Sequence, residues 1–179
     1  MDQIRISIVY IMEGGRVMTK KLSTQECIKM YERYKNLLYR IAYTYVKNNE
    51  DVEDLLQEVF IKRMYKAPEF ESQEHEKRWM IRVTVNLAKN HVKSFWHRNR
   101  TTMEEILETP DIVQWKLNEE EKEVFSEVMS LPEKQRISIY LHYFEGYTCK
   151  EIAEILKSKE STIKNRLKKG REILRERLS

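Results

Sequence analysis

The chain has 179 residues, 33 Lys and Arg against 29 Asp and Glu, 41% hydrophobic content and only four Gly and three Pro, a composition that specifies a folded, strongly helical protein. Uncharged runs such as Ile6 to Met12 fall far short of the ~20 apolar residues that span a bilayer, and that stretch lacks the Lys-rich start and cleavage site of a secretory signal, so a cytosolic protein without membrane insertion is expected. Cys27 and Cys149 have no Cys or His at metal-ligand spacing and read as buried thiols, and Gly14-Gly15 has no following Gly-Lys-Ser/Thr, so neither a metal site nor a nucleotide-driven enzyme is suggested.

From Cys27, the apolar positions Tyr31, Tyr34, Leu38, Ile41 and Tyr45 recur at helical steps and predict an amphipathic helix that ends at Asn48-Asn49. A second helix follows with Val52, Leu55, Leu56, Val59 and Phe60 inward, stopping before Pro68. Lys66 to Lys77 is polar and reads as a loop. A third helix is predicted from about Arg78 to about His97. Its Trp79, Val83, Leu87 and Phe95 are assigned to the core, and Arg82, Asn86, Asn90, Lys93 and His97 to one exposed stripe. Residues from Arg98 to about Lys122 lose the periodicity and read as a linker with a helical end from Asn118. Pro132 then suits a first helical position, and Ile137, Tyr140, Leu141 and Phe144 form a stripe that Gly146 terminates. Thr148 and Glu151 form a capping box before Ile152, Ala153, Ile155 and Leu156. After a turn from Lys157 to Glu160, the last helix repeats Ile163, Leu167, Gly170, Leu174 and Leu178, completing a helix-turn-helix pattern.

Charge is distributed in blocks. Lys77 to Arg100 holds seven basic and no acidic residues, Thr101 to Ser130 two basic and nine acidic, and Leu131 onward twelve basic and seven acidic. Two nucleic-acid-binding modules joined by an acidic segment fit that alternation, although any one run alone reads better as a solvated helix face. In the last helix Lys164, Asn165, Arg166, Lys168, Lys169 and Arg171 crowd the outer surface, where Lys and Arg neutralise phosphates and Asn can read a base edge. The alternative is cations favoured at a helix C-terminus, but these begin in the first turn, where the dipole disfavours them. The third helix combines a basic and Asn-rich stripe with Trp79, Phe95 and Trp96, the elements of a single-strand groove. Here too Trp79 reads better as core, and Trp96 equally as either. Asp51, Asp54 and Glu58 share a face of the second helix, with Glu50 and Glu53 nearby. They read as acids at a helix N-terminus, as a docking face for a basic partner, or as the ligands of a metal-dependent enzyme, which no matching cluster elsewhere supports.

The segments Asp51-Val-Glu-Asp-Leu-Leu-Gln-Glu-Val-Phe60, Trp79-Met-Ile-Arg-Val-Thr-Val-Asn86, Leu131-Pro-Glu-Lys-Gln-Arg136 and Gly146-Tyr-Thr-Cys-Lys-Glu-Ile-Ala153 together resemble bacterial RNA polymerase sigma factors of the extracytoplasmic-function (ECF) class. The resemblance implies an all-α fold of two small helical domains, a helical bundle and a C-terminal helix-turn-helix domain, joined by an acidic linker. It implies region 2 over 22–100, the linker over 101–123 and region 4 over 124–179, after an N-terminal extension over 1–21. It implies a non-catalytic specificity subunit without cofactor, whose partners are core RNA polymerase, through the beta-prime clamp helices and the beta flap, and promoter DNA. An anti-sigma factor is a candidate regulator. The clamp would meet Asp51, Asp54, Gln57 and Glu58; the minus-10 element Phe70, Lys77, Arg78, Arg82, Asn86, Asn90 and Lys93; and the minus-35 element Ser161, Thr162, Lys164, Asn165, Arg166, Lys168 and Lys169.

The loop 66–77 matches the family's base-capturing loop. Lys157 and Ser158 depart from the family's turn Gly and packed apolar residue, and Gly170 replaces a common Ala at a cost of ~1 kcal/mol in helix propensity. A repressor or activator using the C-terminal module alone is the alternative within DNA binding, and binding to core polymerase separates the two. Residues 1–17 fall outside the resemblance, and Glu13-Gly14-Gly15 can be encoded by a ribosome-binding sequence just before Met18, so native translation is expected to begin at Met18; the alternative is a short, genuine N-terminal arm with an Ile/Val-rich β-like run.

Overall fold

The computed structural model describes residues 22–98 and 119–178, which form two compact units, one on each side of the segment 99–118. The N-terminal extension and nearly all of the expected linker lie outside the described residues.

The N-terminal unit is a bundle of α1 (Thr24–Val46), α2 (Asn49–Lys66) and α3 (Gln73–Arg98), each packed on the other two. Ser23 and Glu26 start α1 with a reciprocal capping box, and the two hydrogen bonds from Ser23 hold the Glu26 carboxyl below its ordinary pKa. Asn48, expected to end α1, instead caps α2, its side chain accepting from the amides of Glu50 and Asp51, while Lys47 takes the left-handed conformation that breaks the chain between the helices. Leu38, Ile41, Ala42, Val52, Leu56, Val59, Phe60, Met80, Ile81 and Ala88 form a core with no solvent exposure.

Two expectations for α3 require correction. The helix begins at Gln73, five residues before the expected start, because Ser72 accepts from the amide of His75 and caps a polar first turn that has no hydrophobic signal. The loop therefore spans only Ala67 to Ser72. The core face is also different. Met80, Ile81, Thr84, Val85 and Ala88 are buried, whereas Trp79, Val83 and Leu87 are half-buried. At about 3.6 residues per turn Trp79 and Val83 fall on the same side as Asn86 and Asn90, so the expected core and exposed stripes were largely one face. Bulk favoured the wrong stripe; the small Thr84 and Ala88 suit close approach to the neighbouring helices, and Thr84 satisfies its hydroxyl on the Met80 carbonyl at 2.9 Å. The side chains of Phe95, Trp96 and His97 lie outside the described residues.

The C-terminal unit comprises α4 (Glu119–Met129), α5 (Glu133–Ile139), a π-helical turn over Tyr140–Phe144, α6 (Cys149–Leu156) and α7 (Glu160–Leu178). Pro132 is the N-cap of α5 rather than its first residue. The π turn, which an i, i+4 pattern does not signal, runs directly on from α5. Tyr140 and Phe144 stack at 5.3 Å between ring centroids, and both rings stand nearly perpendicular to that of Phe125. Arg136 is almost fully buried and donates from Nε and Nη2 to the Leu131 carbonyl, at 3.0 and 2.7 Å, which closes the turn into α5. Gly146 has φ of +73°, the left-handed position where Gly costs least. The capping box of Thr148 and Glu151 starts α6 as its sequence predicts. Cys149 at its first position is half-buried, not buried; Cys27 is buried.

Candidate nucleic-acid interface

In the N-terminal unit, the side of α3 opposite the core carries Trp79, Val83, Asn86, Asn90 and Lys93, with Arg82 at its flank. Asn86, Asn90 and Lys93 are exposed. An indole, amides that both donate and accept, and cations on one helix face match the chemistry of an unpaired strand, whose bases stack and whose phosphates need counter-charge. Lys77 does not join this face: it lies on the bundle side of α3, just past the first turn, and is half-buried. Arg78 is held by Glu74 one turn earlier, at 3.0 Å. Phe70 is half-buried in an intramolecular cluster, with the Arg63 guanidinium 4.7 Å over its ring, Trp79 at 5.7 Å and His75 at 5.4 Å.

Arg63 and Glu76 carried no signal in the sequence, and Tyr34 was visible only as an inward position of the first helix, because the three meet only through the fold. Arg63 reaches Oε1 of Glu76 from Nε at 2.6 Å and Nη2 at 2.5 Å, and the Tyr34 hydroxyl donates to Oε2 of the same carboxylate at 3.1 Å. Burial, then the neighbouring Glu76 charge, pushes the Tyr34 hydroxyl up to about 12, so it remains a donor at physiological pH.

The acidic face of α2 presents Asp54 and Glu58 to solvent, with Asp51 and Gln57 half-buried. Glu58 pairs with Lys62 at 2.8 Å, and Asp51 lies 3.5 Å from His91 of α3. Among the described residues no group of three or more His, Cys, Asp or Glu is placed to hold a metal ion, and no helix is long and apolar enough to cross a membrane.

In the C-terminal unit, Ile163, Leu167 and Gly170 bury one side of α7 against α5 and α6. Helical geometry then places Ser161, Asn165, Lys168 and Lys169 on the opposite side, with Lys164 and Arg166 on its two flanks. Thr162, Asn165, Arg166, Lys168, Lys169 and Glu172 line a groove together with Gln135 of α5, a residue that a reading of α7 alone misses, and Glu172 lies 4.0 Å from Lys168. Lys164 pairs with Glu160 at 2.8 Å, which holds the lysine above and the carboxyl below their ordinary pKa values. Because α7 starts at Glu160, Lys164 stands in its second turn rather than in the first as expected, one turn beyond the acid that pairs with it. A cationic face with a central Asn is suited to a DNA groove.

The same two units match known families. The Sigma-70 region 2 family matches residues 30–98, and the Sigma-70, region 4 family matches residues 123–174. The chain belongs to the ECF class of RNA polymerase sigma factors. It is similar to ECF RNA polymerase sigma factor SigX of Bacillus subtilis, 27% identical over 83% of this chain and 81% of the relative. It is also similar to the ECF RNA polymerase sigma-E factor of Haemophilus influenzae, 28% identical over 83% of this chain and 85% of that protein. In fold it resembles the sigma factor RpoE crystallised with the anti-sigma factor NepR from Bartonella quintana, with a TM-score of 0.66 and 20% identity over 84% of this chain and 95% of that one. As a sigma factor it directs promoter-specific initiation of transcription.

Proposed function

We propose a division of labour among the surfaces of this sigma factor. Residues 22–100 act as region 2. The acidic face of Asp51, Asp54, Gln57 and Glu58 docks on the beta-prime clamp helices of core polymerase, and the outward side of α3, with Arg82, Asn86, Asn90 and Lys93, holds the melted minus-10 strand. The loop from Ala67 to Ser72 reads one minus-10 base, and Phe70 serves it as an anchor, since its ring is already packed. Residues 124–179 act as region 4, with Asn165 reading a base edge of the minus-35 element and Lys164, Arg166, Lys168 and Lys169 meeting phosphates on either side. The acidic segment 101–123 joins the two within polymerase channels otherwise occupied by nucleic acid. The chain works in the cytoplasm with core polymerase, adds no catalysis of its own, and is a candidate for restraint by an anti-sigma factor, as in the complex that its fold resembles.

The observation that carries this reading is the presence, on one three-helix bundle, of an acidic face on α2 and a face of indole, amides and cations on α3 opposite the core. A factor that only bound duplex DNA would need neither. Run-off transcription with purified core polymerase on genomic fragments, including the DNA upstream of its own gene, tests it. Start sites that require the chain are expected; DNA binding without any new transcript would favour a polymerase-independent regulator.

A further inference from the structure

We propose that Arg63 and Glu76, neither of which lies on the outward face of α3, set promoter selectivity as positioning residues by fixing the loop Ala67–Ser72. This rests on the reading of that loop as the minus-10 base reader. Arg63 stands in the last turn of α2 and Glu76 in the first turn of α3, so their ion pair closes the two ends of the loop. The pair is withdrawn from solvent, with 16% and 13% of the side chains exposed, and Tyr34 of α1 donates to both the Glu76 carboxylate and, at 3.4 Å, the Gln73 carbonyl. Nε and Nη2 of Arg63 are directed to Glu76, while the guanidinium carbon lies 4.7 Å over the ring of Phe70 in the middle of the loop. Phe70 in turn meets Trp79, on the outward side of α3. A continuous set of contacts therefore runs from the bundle through Tyr34, Glu76, Arg63 and Phe70 to the surface assigned to the strand.

Physical chemistry gives this arrangement a geometric consequence. A short surface loop whose half-buried side chains are only those of Ala67 and Phe70 has little packing to select one conformation. Charge-assisted hydrogen bonds in a partly dry site are directional and rigid. A buried ion pair contributes little net stability relative to an apolar replacement, so what it distinctively supplies here is a fixed position for Phe70 and its neighbours. Lysine in place of Arg63 keeps the charge but loses both the fork toward Glu76 and the guanidinium over Phe70.

The test uses holoenzyme assembled from core polymerase and the full-length chain, as wild type, Arg63→Lys, Arg63→Met and Glu76→Gln, and with residues 67–72 exchanged for another family member's loop. Each transcribes a library randomised across the minus-10 element, and the transcripts are sequenced. Arg63→Met and Glu76→Gln are expected to reorder the preferred sequences, with some template ratios shifting by about fivefold or more, the low end of what one mismatched base pair is worth. Arg63→Lys should reorder them less. Ratios between templates in one reaction do not respond to a smaller folded fraction, which separates positioning from stability. Hydrogen exchange of the loop peptide should quicken in the same variants. Unchanged ratios in the Arg63 and Glu76 variants, with the loop exchange reordering them, would overturn the positioning role. Unchanged ratios in the loop exchange as well would overturn the loop's role in reading. If Arg63→Met fails to assemble, Arg63→Lys decides the outcome.

Discussion

In the C-terminal unit the outward side of α7 points away from Ile163, Leu167 and Gly170, so its direction is set by the apolar core itself. In the N-terminal unit the loop from Ala67 to Ser72 has no such core, and its contacts run through Arg63, Glu76 and the ring of Phe70. A surface fixed by core phase moves as a whole or not at all, because packed interiors tolerate few alternative arrangements. A surface fixed by a few polar contacts can be redirected while the helices beneath it stay in place. The contrast separates what sets the position of α7, whose disturbance costs stability, from what sets the loop, whose disturbance changes preference.

The most severe way to probe that contrast is Leu167→Ala, which leaves a cavity under α7 and should destabilise the C-terminal unit by about 2–5 kcal/mol. Thermal unfolding should register the loss, and promoters that depend on a minus-35 element should lose activity while binding of a minus-10 single strand persists. Next in size, reversing charge at both Asp54 and Glu58 should weaken core binding by roughly tenfold to a hundredfold while leaving helical content nearly intact, because neither side chain is part of the bundle interior. Competition for core polymerase measures it, and unchanged affinity would leave these acids with local electrostatic work alone.

A finer distinction lies within α7. Asn165→Ala should relax preference at one minus-35 position by about 1–3 kcal/mol, whereas Lys164→Ala should weaken binding evenly across sequences and lower the salt slope by about one unit. Titrations at several salt concentrations distinguish the two, and a shared phenotype would mean that the outward face is rotated from the one described. The smallest effect is expected from Lys157→Gly. Lys157 holds φ of 49° between α6 and α7, and Gly relieves that strain by about 0.5 kcal/mol after its greater freedom in the unfolded chain is counted. Melting should shift slightly upward with promoter preference unchanged.

Most of the fold was legible because its signals are local. The steps from Tyr31 to Tyr45, the capping box of Thr148 and Glu151, and the spacing from Ile163 to Gly170 each report on a short stretch of chain, even where, as from Ile41 to Tyr45, the helix is buried on all sides. Helix α3 defeated that reading because apolar residues surround most of its circumference, and the small residues that pack closest give the weakest hydrophobic signal. Arg63 and Glu76 were illegible for another reason: nothing within either helix distinguishes a buried ion pair from two solvated charges. The acidic face of α2 and the cationic face of α7 were visible as patterns, but only the three-dimensional phase separates Asn165 at the centre from Lys164 and Arg166 at the edges. Gln135 became visible only when a second helix was set beside α7.

Gly170 is a weak helix former placed where α7 meets α5. A Cβ at this position would lie 2.8 Å from Cγ1 and 3.1 Å from Cδ1 of Ile139, so the missing side chain is what lets the two helices approach. Size at one position is thereby exchanged for size at the other. In a library randomised at both sites, survivors should show covariation: Ala at 170 should be recovered together with a smaller residue at 139, and Ile139 together with Gly.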